Sequence, residues 1–197
     1  MDFQNVTGLI LAGGQSRRMG RDKALSPIRG LRLIDYAIQS LSFLSPRILI
    51  SYNGILPADI TITTVCDIIP GHGPASGLHA SLTACPTSRC LVISTDMPLI
   101  GREFLMDLLQ YPSSKPIVAA MSPDGFVEPL CAVYEASLSV LLKQQMENGR
   151  NKLMDFLSMA GYEAVDSSKI SKHWSQEMFS NINTPEDLRR MEAMEGW

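Results

Sequence analysis

The run from Val6 to Leu25, VTGLILAGGQSRRMGRDKAL, brings two glycines and four cations together at the end of an apolar segment. Glycines such as Gly13 and Gly14 let backbone N–H groups approach an oxyanion with no Cβ in the way. An arginine can grip two phosphate oxygens at once, whereas a lysine is a mobile point charge that follows charge as it develops. Arg17, Arg18 and Lys23 are therefore candidates for handling phosphate, while Arg21 has no task in this reading. The same composition also suits a surface loop whose cations are simply solvated. Two common phosphate loops do not fit: Gly20 is followed by Arg21-Asp22-Lys23 and not by Lys-Ser/Thr, and adjacent glycines break the G-x-G-x-x-G spacing of dinucleotide-binding oxidoreductases.

Opposite charges end two other apolar segments. Asp96 follows Leu91 to Thr95, and Asp67 follows Cys66. Either alone could be a turn former or a helix cap. Two such carboxylates on the rim that carries the cationic loop point to metal or nucleotide binding. Magnesium is usually held by one or two carboxylates together with substrate phosphates, which makes Asp96 the candidate ligand. Asn181 and Asn183 flank Ile182, and in an extended segment both amides face one side; the alternative is an amide-rich turn before the last helix. Gly149-Arg150-Asn151-Lys152 precedes a helical pattern and could receive a second phosphate or be plain surface.

The elements that must position these residues follow from periodicity. Strand-like runs lie at Val6 to Leu11, Arg47 to Tyr52, Ile60 to Cys66, Cys90 to Thr95, Ile117 to Met121 and Leu130 to Tyr134. Helical spacing appears over Leu33 to Leu44, Ala75 to Cys85, Phe104 to Leu109, Glu135 to Glu147, Asn151 to Met159 and Pro185 to Met194, the last with Thr184 as N-cap. This alternation predicts an α/β fold: a mostly parallel sheet covered on both faces, in one domain spanning 1–197. Tyr162 to Ser180 has no clear pattern. A chain of 197 residues with 45% hydrophobic content supports one continuous core.

A formal charge of −3 argues against nucleic acid or an anionic membrane as partner, so any anion site is local. No apolar stretch is long enough for a bilayer span and MDFQNV is not a secretory signal, so a cytoplasmic protein is expected. Cys66, Cys85, Cys90 and Cys131 form no C-x-x-C pair and read as reduced and mostly buried.

The full string Leu11 to Lys23, L-A-G-G-x-S-x-R-M-G-x-x-K, resembles the signature of the molybdenum cofactor guanylyltransferases, also called molybdopterin-guanine dinucleotide biosynthesis protein A. Further patches follow in the family's order: Gly30-Leu31-Arg32-Leu33-Ile34-Asp35, Asn53, Asp67-x-x-Pro70-Gly71-x-Gly73-Pro74-x-x-Gly77, Asp96-Met97-Pro98, Glu128-Pro129-Leu130 and Asn181-Ile182-Asn183-Thr184-Pro185. The resemblance implies a three-layer, Rossmann-like nucleotide-diphospho-sugar transferase fold with a mixed, mostly parallel sheet. It also implies GTP and molybdopterin, with or without molybdenum, as substrates, and Mg2+ as cofactor. Protein partners would be one that delivers molybdopterin or a molybdoenzyme.

Residue by residue, the resemblance would give Leu11, Ala12, Gly13 and Gly14 to the base and ribose, Lys23 to the phosphates, Asn53, Asp67 and Gly77 to the nucleotide, Asp96 to the metal, and Asn181 and Asn183 to the metal and acceptor region. Lys23, Arg17, Arg18 and Asp96 would form the catalytic set. Pro74-Ala75-Ser76-Gly77 stands where members often have Pro-Leu-Ala-Gly, and Glu128 where many have His or Gln. These departures leave open a cytidylyltransferase or sugar-phosphate nucleotidyltransferase of the same fold, as well as a noncatalytic nucleotide-binding domain.

Overall fold

The computed structural model describes residues 3–13, 22–44 and 46–194. Gly14, Arg17, Arg18 and Arg21 lie outside the described residues. Among the described residues nine strands form: β1 Val6–Leu11, β2 Pro27–Ile28, β3 Leu31–Arg32, β4 Ile48–Ser51, β5 Thr63–Val65, β6 Arg89–Ser94, β7 Ile117–Met121, β8 Val127–Glu135 and β9 Glu163–Asp166. The helices are α1 Leu33–Ser40, α2 Pro74–Ala84, α3 Arg102–Gln110, α4 Ser139–Glu147, α5 Leu153–Ala160, α6 Ser167–Ile170 and α7 Pro185–Glu192.

Seven strands make one sheet in the order β5-β4-β1-β6-β8-β7-β9. β1 pairs in parallel with β4 and β6, β4 with β5, and β7 with β9, whereas β8 runs antiparallel to both its neighbours. The expected mixed, mostly parallel sheet is present. Along β1 the side chains alternate between two buried clusters. Val6 and Ile10 share a cluster with Ile34 and Ala37 of α1, with Leu41 just past its end, and with Phe104, Leu105 and Leu108 of α3. Leu9 and Leu11 face the other way, onto Leu78 and Leu82 of α2, Leu142 and Met146 of α4 and Phe156 and Leu157 of α5. Burial on both faces is why these strands read as continuous apolar runs.

β1, β4, β5 and β6 all end on one edge, which gathers the segments after Leu11, Ser51, Val65 and Ser94. Ligands of open α/β sheets collect at that edge. Backbone hydrogen bonds extend the register into the loops: Ala12 N–H donates to Ser51 O at 3.0 Å and Thr95 N–H to Leu11 O at 3.2 Å. A third cluster, Ile28, Leu33, Ile182, Leu188 and Met191, holds the β2–β3 hairpin and α7 beside this edge. The hairpin turns through Arg29 and Gly30, with φ of 47° and 84°. Positive φ at both turn residues matches the right-handed twist of the strands. From this turn the Arg29 guanidinium donates to Glu192 O at 3.0 Å, satisfying a carbonyl at the end of α7.

α7 begins with a capping box. Asp187 N–H donates to Thr184 Oγ1 at 3.1 Å, and Asp187 Oδ2 accepts from the backbone N–H of Thr184 and of Asn183, both at 2.9 Å. The box therefore fixes Asn183 as well as the helix. Thr184→Ala is expected to cost about 1 kcal/mol, a drop of about 2 to 4 °C in the thermal midpoint measured by circular dichroism. A midpoint unchanged from wild type would show that the cap contributes nothing.

Three expectations are revised. The run from Ile60 to Cys66 supplies only the short edge strand β5, because a single neighbour, β4, is there to pair with it. β8 starts at Val127, earlier than Leu130, although Pro129 lacks the N–H a ladder needs. A register irregularity absorbs it: Ala119 pairs with Ala132 but Ala120 with Glu128, and the buried Tyr134 hydroxyl donates to Pro129 O at 2.7 Å. The unpatterned stretch contains β9, α6 and a 3-10 turn at Gln176–Phe179. Of the cysteines, Cys90 and Cys131 are buried, Cys85 is half-buried and Cys66 is exposed, and all four are free thiols.

Candidate active site

Lys23 stands on a turn that its neighbours hold rigidly. Asp22 Oδ1 accepts from Ala24 N–H at 2.9 Å, Asp22 O accepts from the Ser26 hydroxyl at 3.1 Å, and Ser26 N–H donates to Lys23 O at 3.0 Å. Ile34 N–H donates to Ala24 O and Leu33 N–H to Ser26 O, at 2.9 and 3.1 Å, so the first turn of α1 is stitched to the loop. The Tyr52 hydroxyl, just beyond β4, donates to Asp22 Oδ2. Burial, then the Asp22 carboxylate, pushes the Tyr52 phenol up to about 12, so it stays a donor at neutral pH. Sequence reading left Asp22 and Tyr52 without a role. The only signal was an acidic residue directly before the lysine, and its partner comes from 30 positions away.

From that turn Lys23 Nζ reaches Asp96 Oδ2 at 3.2 Å and Asn183 Oδ1 at 2.9 Å. Three separate chain segments thus meet at one ammonium group. Ile182 N–H donates to Asp96 O at 2.9 Å, which fixes the last segment against the end of β6. Asn181 behaves differently from Asn183: its amide donates to Phe179 O at 3.4 Å. The side chains of Lys23 and Asp96 are 18% and 22% exposed, so the pair is shielded yet reachable by a ligand.

Asp96 also has unused capacity. Among the described residues its Oδ1 is buried and has no hydrogen-bond partner. A bare carboxylate oxygen beside an exposed rim suits a hard cation. The last pairing of β6 with β8 is Ile93 with Cys131, and β8 reaches Glu128 on the side of β6 that leads to Asp96. Burial first, and then the Asp96 charge, raises the Glu128 carboxyl to about 7. Sequence reading met Glu128 as a departure from pattern; the fold brings its carboxyl within electrostatic reach of Asp96. Because the folded-state value lies above the ordinary 4.5, this group stabilises the fold fully below pH 4.5, and that contribution is lost as pH rises through about 7. Metal-free wild-type protein should lose about 1 to 2 kcal/mol more than Glu128→Gln across that window, after allowance for the solvent that still reaches the carboxyl. Urea titrations at pH 5 and pH 8 measure it, and identical losses in the two proteins would remove the shift.

A second part of the edge holds Asn53 and Asp67. Asn53 Nδ2 donates to Asp67 Oδ2 at 2.9 Å, and Asp67 N–H donates back to Asn53 Oδ1 at 2.8 Å. The two side chains lock the loops after β4 and β5 to each other. Beyond them, Gly71 and Gly73 take φ of 95° and 60°, a conformation that favours glycine, and lead into α2. His72 Nδ1 lies 2.5 Å from Asn151 Oδ1, which joins this loop to the segment before α5 containing Arg150 and Lys152. Gly77 is buried inside α2, where a Cβ would come within 2.5 Å of Ser51 Oγ. Its bareness lets α2 close on the end of β4. Leu11 and Ala12 are buried at the end of β1, whereas among the described residues a Cβ on Gly13 would come within 4 Å of Ser51 O alone, at 3.9 Å.

Comparison with known proteins decides the family. Residues 8–164 match the model of the MobA-like NTP transferase domain. The chain belongs to this nucleotidyltransferase family. A molybdenum cofactor guanylyltransferase from Yersinia pseudotuberculosis is 32% identical over 187 residues, covering 93% of this chain and 93% of the relative. A probable molybdenum cofactor guanylyltransferase from Pelotomaculum thermopropionicum is 31% identical over 194 residues, covering 96% and 93%. Among solved structures, molybdopterin-guanine dinucleotide biosynthesis protein A from Archaeoglobus fulgidus superposes with a TM-score of 0.82 at 25% identity, over 94% of this chain and 96% of that one. The family match takes in Lys23, Asn53, Asp67, Asp96 and Glu128. Asn181 and Asn183 lie past its end, and Asn183 reaches Lys23 through the packing of α7. No described helix is long and apolar enough to cross a membrane.

Proposed function

We propose that this chain, as a single transferase domain over 1–197, transfers GMP from GTP to the terminal phosphate of molybdopterin, with or without molybdenum, and releases pyrophosphate. The observation that carries the reading is Lys23 Nζ held between Asp96 and Asn183 at the sheet edge, in a chain of this transferase family. The acceptor phosphate oxygen attacks the α-phosphorus of GTP in line, and the bond to the bridging oxygen of pyrophosphate breaks. Two anions must approach closely, so the barrier is largely electrostatic.

In this reading Lys23 contacts the phosphates and follows the charge that builds on the leaving group. Its position is held by Asp22 and Tyr52. Asn53 and Asp67 face the nucleoside, together with Leu11, Ala12 and the bare backbone at Gly13, while the 71–73 loop forms a wall on that side. Asp96 would hold a divalent cation, taken as Mg2+, through Oδ1, which has no hydrogen-bond partner among the described residues. When bound, the cation neutralises phosphate charge and polarises the phosphoryl oxygens. Asn183 orients Lys23, and Asn181 is placed toward the acceptor. Gly14, Arg17 and Arg18 complete the phosphate loop in this reading. The setting is cytoplasmic, with a molybdopterin carrier or a molybdoenzyme as protein partner.

Pyrophosphate release tests the assignment directly, with molybdopterin, Mg2+ and each nucleoside triphosphate in turn. GTP should be turned over at least about 10-fold faster than CTP. Faster turnover of CTP would replace this reading with a cytidylyltransferase, and tight GTP binding without any release would make the chain a nucleotide-binding module.

A further inference from the structure

At the opposite edge of the sheet, two cysteines face each other. Cys85 ends α2 and Cys90 lies in β6, with Pro86 to Arg89 as the connection between them. Cys90 pairs with Thr7 on β1, near the start of both strands. Asp96 lies past the other end of β6, roughly 20 Å away at about 3.3 Å per residue, so this pair is separate from the phosphate site. The Cys90 S–H donates to Cys85 Sγ at 2.7 Å. Closing a bond between them needs an approach of less than about 1 Å.

The surroundings distinguish the two sulfurs. Cys90 is fully buried, whereas Cys85 is half-buried and open to small solutes. Cys85 Sγ also lies 3.5 Å from the Thr87 hydroxyl, which is itself 2.7 Å from the Thr7 hydroxyl. The hydrogen bond from the Cys90 S–H, helped by these hydroxyls, lowers the Cys85 thiol against the effect of burial. The same hydrogen bond, and then burial, push Cys90 up. Cys85 is therefore the more acidic and the more exposed of the two thiols, the one that oxidants reach first.

We propose that Cys85 and Cys90 form a reversible redox site, in which a peroxide oxidises Cys85 and Cys90 resolves it to an intramolecular disulfide. In the first step the Cys85 thiolate attacks one oxygen of hydrogen peroxide; the O–O bond breaks, and with one proton Cys85 sulfenic acid and water form. In the second step Cys90 sulfur attacks Cys85 sulfur, the S–O bond breaks and a second water leaves with the Cys90 proton. Two electrons pass from the two thiols to one peroxide. A dithiol reductant reverses the change by exchange.

The test uses the full chain in its folded state, exposed to hydrogen peroxide at neutral pH, then unfolded, alkylated and cut with trypsin. Cleavage after Arg89 falls between the two cysteines, so a disulfide leaves peptides 48–89 and 90–102 joined. Cys66 shares the first peptide, so a Cys66→Ser protein is run in parallel. The expected result is the joined pair in both proteins, about 2 Da lighter than the two reduced peptides together and separated by dithiothreitol. Cys85 should be consumed at least about 10-fold faster than Cys66. In Cys85→Ser, a change at the half-buried position, Cys90 should remain fully alkylatable. The proposal is overturned if Cys85 is oxidised while Cys90 is still fully alkylated after unfolding, or if Cys66 reacts and Cys85 does not.

Discussion

Lys23→Ala is expected to lower the rate of pyrophosphate release about 100-fold at saturating GTP, with the fold unchanged. The size follows from removing one preorganised charge aimed at a reacting phosphate in a partly dry site. The fold is spared because the Lys23–Asp96 pair is a fifth exposed, and such pairs contribute little to stability. Lys23→Arg keeps the charge but changes its shape and reach, so it should recover only part of the loss. A stopped or continuous pyrophosphate assay, together with a thermal melt, separates the two effects. Wild-type turnover in Lys23→Ala would remove this residue from the reaction. A lowered melting point together with the lost rate would mean that its contacts to Asp96 and Asn183 are structural.

Asp96→Asn is expected to have a comparable effect on rate, on the order of 100-fold, for a different reason. The amide matches the shape of the carboxylate but has no charge with which to hold a hard cation. The unpartnered buried Oδ1 is the atom concerned. The concentration of Mg2+ required for half-maximal rate should therefore rise at least about 10-fold, a shift that a purely structural role would not produce. The substitution also takes a negative charge away from Glu128, so its carboxyl should titrate below the value of about 7 that it has beside Asp96. An unaltered metal requirement in Asp96→Asn would place the cation elsewhere. These two variants oppose each other electrostatically: one removes the positive partner and the other the negative. The double variant should lose less than the product of the two single losses, since the residues are in contact.

Glu128 connects this site to pH. A carboxyl raised to about 7 changes its charge across the neutral range, so the negative charge beside Asp96 grows as pH rises. A cation bound at Asp96 would draw the Glu128 value down, so the stability loss on raising pH should shrink when Mg2+ is present. His or Gln at this position, as in many members of the resembling family, would also bring no fixed negative charge at neutral pH. The departure at Glu128 is therefore smaller in charge than in residue type.

What could be read from the chain and what could not divide along physical lines. Local rules were sufficient for the strands buried on both faces, whose apolar runs from Val6, Ile48, Cys90 and Ile117 need no partner to be recognised. They also served for α7, where Thr184, Pro185 and Asp187 carry their own capping chemistry. The glycine loop, the strand-end carboxylates and the amide pair were visible as types and spacings, because phosphate and metal chemistry restricts which residues can serve. Pairing across long separations was not visible. β9 has no strong pattern of its own and exists because β7 offers an open edge. Asn183 reaches Lys23, 160 positions earlier, only because Ile182, Leu188 and Met191 pack against Ile28 and Leu33.

The same division separates residues that looked alike. Asn181 and Asn183 have equal standing in the sequence, yet one donates to its own local carbonyl and the other accepts from Lys23. Gly77 looked like a ligand-side glycine, and the fold sets it against Ser51. Asp22 and Tyr52 became the support of Lys23 through a contact between β4 and the loop after β1. By itself the sequence determined the strands buried on both faces, most of the covering helices and the kinds of side chain at the strand ends, since each depends on neighbours within a few residues. Only the tertiary structure decided which of those side chains meet, which carboxylate oxygen is left bare and which cysteines face each other. Those outcomes depend on burial and on distances between segments that are far apart in the chain.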